Sequence, residues 1–142
     1  MKFLGFILTV ALLTGTSFIK ASAQDANSIL GTYLTENGRG KVKIAKEGNQ
    51  YTGTLIWTAR NGATDSKNPN KAEQSKPLVG KKILTGLVYD NKKTWEKGSI
   101  YDPESGNTYS CKITRQSDGS LKVRGFLGVS LLGRTSIWTK SK

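Results

Sequence analysis

Short runs in which apolar and polar residues alternate occupy most of the chain after residue 30. Alternation with a period of two is typical of β-strands that bury one face. In residues 41–45, for example, Val42 and Ile44 fall on one side and lysines on the other. Eight strands are predicted, in the ranges 31–36, 41–45, 51–58, 82–89, 94–101, 107–115, 121–126 and 133–140. One helical turn is predicted ahead of the first strand.

Tight turns join most of the predicted strands. Asn37-Gly38 and Asp118-Gly119 are strong hairpin signals, because both turn positions tolerate positive φ. Many short strands at this spacing favour a sandwich or a barrel, and closure removes exposed sheet edges. We therefore predict an all-β fold, a small closed antiparallel barrel of about eight strands, formed by a single domain at residues 24–142.

One connection, residues 59–77, is much longer than the others and almost free of apolar residues. Loops of this length are usually functional lids or disordered segments. Asp65 and Asn68 in it are turn formers that can hydrogen-bond their own backbone. They could also contribute to a cation site, but one carboxylate makes a poor calcium site. Turn formation is the preferred interpretation, and no metal site is predicted.

The first 23 residues have the pattern of a cleaved secretory signal. Lys2 supplies positive charge, residues 3–18 are mostly apolar, and Ala21-Ser22-Ala23 fits a signal peptidase site. The apolar run is short for a hydrocarbon core of roughly 30 Å. We expect cleavage before Gln24, export to the periplasm or the medium, and no transmembrane span in the mature chain.

The charge balance is strongly basic, with 22 lysines and arginines against 10 acids and a net charge of +12. Such an excess suits an anionic partner, for example an envelope polymer or lipid headgroups. The lysines are dispersed, however, which favours a solvated surface over a binding patch. Nucleic acid is not an expected partner, because no recognition helix is predicted and exported proteins seldom meet it.

The inventory of reactive side chains argues against an enzyme. Histidine is missing, so the commonest proton shuttle and metal ligand is unavailable. The single cysteine, Cys111, falls on an apolar strand face with no base to activate it. Asp102 and Glu104 are explained by the turn that contains them. We predict no catalytic residue and no cofactor.

The motifs resemble, in order, those of a family of small exported bacterial proteins, domain of unknown function 2147. The matching segments are Gly31-Thr-Tyr33, Tyr51-x-Gly-x-Leu-Ile-Trp57, Asp65-x-x-Asn-Pro69, Pro77-Leu-x-Gly80, Ile83-Leu-Thr-Gly-Leu87, Trp95, Ile100-Tyr-Asp-Pro103, Gly106-x-x-Tyr109, Leu121-Lys-Val-Arg-Gly125, and Gly128-x-Ser-Leu-Leu-Gly-Arg134 with Trp138. They cover nearly all of residues 24–142. The resemblance implies a family without implying an activity.

A looser resemblance, to lipocalin-type barrels, rests on two places. Gly31-Thr-Tyr33 is similar to the Gly-x-Trp of the first lipocalin strand, with tyrosine in place of tryptophan. The resemblance implies that Arg134, late in the chain, packs across the Tyr33 ring and closes the barrel base, a cation–π contact of about 0.5–2 kcal/mol. The alternative is that Arg134 clamps an anionic ligand.

A barrel of eight strands can be filled by side chains or can hold one small ligand. The candidate ligand-binding residues are Trp57, Tyr101, Arg124 and Trp138. The aromatic residues could instead fill the core, and Arg124 could instead face solvent. We predict a monomeric, non-enzymatic binding module for a small apolar or amphipathic ligand, which could be anionic. The alternative is a basic surface-interaction protein that binds anionic envelope polymers or lipid headgroups.

Overall fold

The structure, a computed structural model, describes residues 25–129 and 131–142. The predicted signal peptide, residues 1–23, lies outside this part of the chain. Among the described residues, no helix has both the length and the apolar character needed to cross a bilayer.

Eight antiparallel strands close into a barrel in which each strand pairs with the next and the last pairs with the first. Their bounds are β1 Gly31–Leu34, β2 Gly40–Glu47, β3 Gln50–Thr58, β4 Lys82–Tyr89, β5 Thr94–Asp102, β6 Asn107–Arg115, β7 Leu121–Phe126 and β8 Gly133–Lys140. Short 3₁₀ helices lie at Asn27–Ile29 and Lys71–Glu73. The predicted closed barrel of eight strands is confirmed.

The first 3₁₀ helix covers one end of the barrel, here called the closed end. Three aromatic side chains from inside the barrel donate hydrogen bonds to this helix or to Ala26, the residue before it. Tyr33 Oη donates to the Ile29 carbonyl at 2.9 Å, Tyr51 Oη to Asn27 Oδ1 at 2.8 Å, and Trp95 Nε1 to the Ala26 carbonyl at 3.2 Å. These bonds satisfy polar groups that burial would otherwise leave unpaired.

The hydrophobic core lies mainly beneath this helix. Trp95 is its largest fully buried side chain, with the Tyr51 ring edge-on at a centroid distance of 6.3 Å and the Tyr89 ring at 4.9 Å. The other buried apolar side chains around them are Ile29, Tyr33, Val42, Ile44, Leu55, Ile83, Leu84, Leu87, Cys111, Ile113, Leu121, Val123 and Trp138. The closed half of the barrel is therefore packed, and any internal space lies toward the opposite end.

Cys111 is part of this core, and we expect it to be inert in the native protein. Burial raises the pKa of its thiol to about 12, whereas thiol reagents react with the thiolate. A chromogenic disulfide reagent should label Cys111 only after the protein is unfolded in denaturant. Stoichiometric labelling of the folded protein within minutes would contradict its buried position.

Candidate functional site

A cavity of about 990 Å³ opens at the end of the barrel opposite the first 3₁₀ helix. This open end is formed by four connections, whose described residues are 35–39, 59–81, 103–106, and 127–129 with 131–132. The volume falls at the upper end of the range found for small-molecule sites, about 300–1,000 Å³.

Apolar side chains form most of the cavity wall, and charged ones lie around its rim. The large apolar and aromatic lining residues are Leu55, Leu78, Ile83, Ile100, Tyr101, Tyr109, Val123, Phe126, Leu127, Leu132 and Trp138. The charged lining residues are Arg39, Arg60, Lys67, Arg134, Glu36, Asp102 and Glu104. The arrangement suits a molecule with an apolar body and a polar end that remains near solvent.

The acids of the β5–β6 turn are engaged by protein groups. Glu104 Oε1 lies 2.6 Å from Arg39 Nη1 in an exposed ion pair. The Asp102 carboxylate accepts from the Glu104 backbone N–H at 2.9 Å and from Ser105 Oγ at 2.8 Å. Within the described ranges, none of the ion pairs includes Arg134, which is exposed at the rim. Arg134 is therefore placed to receive an anionic group.

A buried polar network ties the long β3–β4 connection to the barrel beside the cavity. Asp65 is 1% exposed, and its Oδ1 accepts from Tyr101 Oη at 2.5 Å. Its Oδ2 accepts from Asn68 Nδ2 at 2.8 Å and lies 3.0 Å from Lys81 Nζ. The Lys81 ammonium also lies 4.7 Å from the centroid of the Tyr101 ring. One carboxylate thus joins two parts of the connection to β5.

The electrostatics of this network fix its protonation. Burial by itself would raise the pKa of Asp65, but hydrogen bonds from Tyr101, Asn68 and Lys81, with the charge of Lys81, lower it overall. The pKa of Tyr101 is raised well above its usual range, first by burial and then by its bond to the Asp65 carboxylate. Tyr101 is therefore a hydrogen-bond donor and cannot serve as a base near neutral pH.

Backbone contacts order the same connection. The Asp65 N–H donates to the Lys76 carbonyl, and the Leu78 N–H to the Ala63 carbonyl, both at 2.9 Å. At Gly106 in the β5–β6 turn, φ is +75°, and an added Cβ would collide with the backbone carbonyl of Lys67. The long segment, predicted only as a lid or a disordered loop, packs against the barrel as a fixed part of the open end.

The cavity brings together two of the four predicted ligand-binding residues. Tyr101 and Trp138 both line it, and Trp138 Nε1 donates to Ser136 Oγ at 3.1 Å. Whether they contact a ligand stays a prediction.

Trp57 lies outside the cavity, and its placement is a correction. Simple alternation puts it on the same face as Leu55, but the β2–β3 register shifts between Lys41 and Val42. Leu55 pairs with Val42 on the inner face, whereas Trp57 pairs with Lys41. The bulge leaves Trp57 43% exposed, with Lys41 Nζ 5.6 Å from its ring.

Arg124 is also outside the cavity. Its neighbours Val123 and Gly125 line the cavity, so Arg124 falls on the outer face of β7. There its Nη1 donates to Oγ1 of Thr135 on β8 at 2.9 Å. The sequence allowed Arg124 either to bind a ligand in the barrel or to face solvent, and in the structure it lies on the outer face.

The expected contact between Arg134 and Tyr33 is wrong. Tyr33 pairs with Lys140 at the closed end, where Lys140 Nζ lies 5.9 Å from its ring. Arg134 pairs with Gly125 at the open end, six positions back along β8, which corresponds to about 20 Å of strand. Gly31 pairs with Ile44 beside the closed end, as a part of β1.

A second cation also acts on Tyr33. Burial raises the pKa of its hydroxyl, and the positive charge of Arg115, at the end of β6, opposes the rise. The positive groups near this ring therefore belong to Lys140 and Arg115, and Arg134 is available for the cavity.

The family to which the chain belongs follows from a comparison with known proteins. Residues 31–140 match the family described as an uncharacterized protein conserved in bacteria, DUF2147. The chain belongs to this family. The match spans the whole barrel, from the start of β1 to the end of β8.

A solved structure similar to this DUF2147 protein is that of protein HP1028 from the human pathogen Helicobacter pylori, which is described as belonging to the lipocalin family. The two are 20% identical, with a TM-score of 0.74 over 80% of this chain and 83% of the other. At this identity the similarity establishes a lipocalin-like fold. No match was found among curated proteins.

Sequence reasoning missed the role of Asp65 in the network of this DUF2147 protein. Its turn contacts are present, since the Asn68 N–H donates to the Asp65 carbonyl at 3.0 Å. The side chain in addition reaches Tyr101, 36 positions away in the chain. The available signal was an acid in a basic, polar loop, one of two there with Glu73, and it does not by itself identify a partner.

Proposed function

We propose that this DUF2147 domain is a non-enzymatic carrier of a single-chain anionic amphiphile, a molecule of the fatty-acid class. The observation that carries the proposal is the open cavity of about 990 Å³, with apolar walls and Arg134 at its rim. An apolar chain would lie against the wall beside Trp138, and an acidic head would face Arg134. Lipocalin-like architecture supports a binding role, because such barrels can enclose a ligand.

The polarity of the cavity supports the choice of an amphiphile. Burying an apolar chain against Ile100, Val123 and Trp138 contributes about 25 cal/mol for each Å² removed from water. A carboxylate would lose much of that gain if it were buried without a partner. At the rim it can keep some water and accept a charge-assisted hydrogen bond from Arg134.

The chemistry of the described residues supports binding without turnover. They contain no group of three or more His, Cys, Asp or Glu side chains that could hold a metal ion. The raised pKa of Tyr101 keeps its hydroxyl protonated, and Asp65 beside it is enclosed by three donors. Export, the remaining part of the hypothesis, would place the carrier in the periplasm or the medium.

The proposal is tested with cis-parinaric acid, a fluorescent fatty acid, and with its uncharged methyl ester. Energy transfer from Trp138 to the bound polyene should report binding in the cavity. Arg134→Gln should weaken binding of the acid about fivefold, because it removes one charge-assisted hydrogen bond. Binding of the ester should change little.

Arg124→Gln is the matched control, since Arg124 lies on the outer face of the same hairpin. It should leave the affinity for the acid unchanged. Equal losses in both variants would mean that net charge alone attracts the probe, which is the surface-interaction alternative. In that case the affinity would also fall steeply with added salt. Failure of both probes to bind would contradict the carrier proposal.

A further inference from the structure

The connection between β7 and β8 exposes four aliphatic side chains at the open end. Leu127, Val129, Leu131 and Leu132 are 60%, 58%, 88% and 67% exposed, and together they are called the aliphatic tip. Apolar side chains grouped in this way are unusual on a soluble surface and mark contact with a protein or a membrane. Leu127 and Leu132 also line the cavity, so the tip lies directly beside its opening.

Three backbone N–H groups of the tip form hydrogen bonds within it. The Leu127 N–H donates to the Leu132 carbonyl at 3.0 Å, and the Leu132 N–H to the Val129 carbonyl at 3.0 Å. The Val129 N–H donates to the Leu127 carbonyl at 2.8 Å. These three groups would therefore keep their partners in an apolar phase, where an unpaired backbone group is costly.

The β7–β8 hairpin, which ends in the tip, has a net positive charge. Between Leu121 and Lys140 the sequence has four cations, Lys122, Arg124, Arg134 and Lys140, and no acid. Arg124 and Arg134 lie near the base of the tip, because Gly125 pairs with Arg134, and Arg124 pairs with Thr135 one position farther from the tip. Aliphatic side chains at the tip and two arginines at its base are complementary to a lipid bilayer with an apolar interior and anionic headgroups.

We propose that the aliphatic tip inserts into the interface of an anionic lipid bilayer and docks the open end of the barrel against it. The four aliphatic side chains enter the acyl boundary, and Arg124 and Arg134 lie at the level of the lipid phosphates. Because two residues of the tip line the cavity, docking places its opening at the membrane surface. This interaction surface is independent of whether the cavity carries an amphiphile.

Insertion is measured with a polarity-sensitive dye on a cysteine introduced at the tip. Leu131→Cys suits this purpose, since Leu131 is the most exposed residue of the tip and the native Cys111 is buried. Vesicles of phosphatidylcholine mixed with phosphatidylglycerol should shift the dye emission to the blue, and vesicles of phosphatidylcholine alone should do so less. Dye on Val88→Cys, on the outer face of β4 toward the closed end, should not shift. No shift at residue 131, or equal shifts at both positions, would overturn the proposal.

A second variant separates docking from ligand binding. Val129 and Leu131 do not line the cavity, so Val129→Ser with Leu131→Ser should leave cis-parinaric acid binding and the melting temperature unchanged. Partition onto the mixed vesicles should fall about tenfold or more, because apolar burial drives insertion. Val88→Ser is the control and should partition normally. All forms carry the same N-terminal segment, so a difference in vesicle partition between them reports the tip alone.

Two further results of these experiments would contradict the docking proposal. If the double variant partitions as well as the unchanged protein, the attraction comes from charge alone and the proposal fails. If the tip instead joins two copies, sedimentation velocity would show a dimer that the double variant abolishes, with no vesicle binding in either form, and the proposal fails. Arg134 belongs to both surfaces, so loss of parinaric acid binding in Arg134→Gln tests the carrier function, and Val129→Ser with Leu131→Ser tests docking.

Discussion

Replacing Asp65 by alanine is expected to lower the free energy of unfolding by about 3 kcal/mol, since breaking a buried network leaves its partners unsatisfied. Tyr101 Oη, Asn68 Nδ2 and Lys81 Nζ would all lose the carboxylate that they share. The Lys81 side chain is partly exposed and can turn toward solvent, whereas Asn68 is buried. Urea denaturation followed by tryptophan fluorescence measures the loss.

Asp118→Ala is the matched control for this prediction. Asp118 also accepts two hydrogen bonds, from the N–H and the Oγ of Ser120, but it is exposed in the β6–β7 turn. Its loss should cost clearly less, because the Asp118 carboxylate is exposed and has no buried charged partner to leave unpaired. If the two substitutions destabilised equally, the Asp65 network would be no more than a set of local turn contacts.

The same network should give the protein part of its acid sensitivity. The pKa of Asp65 is lowered in the folded protein from an ordinary value of 3.8. Its stabilisation is therefore complete above that value and is lost as the pH falls through the lower, folded pKa. Asp65→Asn cannot titrate, so the stability difference from the unchanged protein should shrink below about pH 4. A difference that stays constant down to pH 2 would contradict the assigned charge state.

Filling the cavity should have the largest effect on binding. Ser136 is a small side chain on the cavity wall, and Ser136→Phe would project a ring into the space. Excluding about 60 Å² of apolar ligand surface costs about 1.5 kcal/mol, or about tenfold in Kd. Titration with the methyl ester of parinaric acid measures this loss, because the ester reports the apolar wall without the acidic head.

Thr135→Phe provides the comparison at the neighbouring position. Adjacent residues of a strand point to opposite faces, and Thr135 lies outside the cavity beside Arg124. The same ring should there leave the affinity for the ester unchanged. Equal weakening in both variants would show that the probe does not bind inside the barrel.

The site was only partly predictable from the sequence, and the residues whose predicted positions were wrong show why. Simple alternation assigns Trp57 to the inner face, but β3 has one extra residue, Ile56, opposite the step from Lys41 to Val42, and this bulge reverses the face of Trp57. Nothing in the local sequence identifies the bulge, because it depends on how two strands pair. Trp138 lies on β8, whose register with β7 has no such shift, and it lines the cavity as predicted.

Arg134 shows a limit of reasoning by resemblance. An arginine late in the chain and a tyrosine early in it were expected to meet, as the lipocalin pattern implies. The pairing of β1 with β8 brings Lys140 to Tyr33 instead, and Arg134 lies at the other end of the strand. Register between distant strands therefore decided which cation supports the barrel and which faces the cavity.

The sequence by itself determined the strands, most of their turns and the closure of the barrel, because these follow from local alternation, turn residues and the need to cover sheet edges. It also determined the absence of histidine and the buried, unactivated position of Cys111. Only the tertiary structure decided that Asp65 meets Tyr101, that the 3₁₀ helix covers one end and that the aliphatic tip borders the opening. These contacts join residues far apart in the chain, so they depend on strand register and loop path, which local periodicity does not encode.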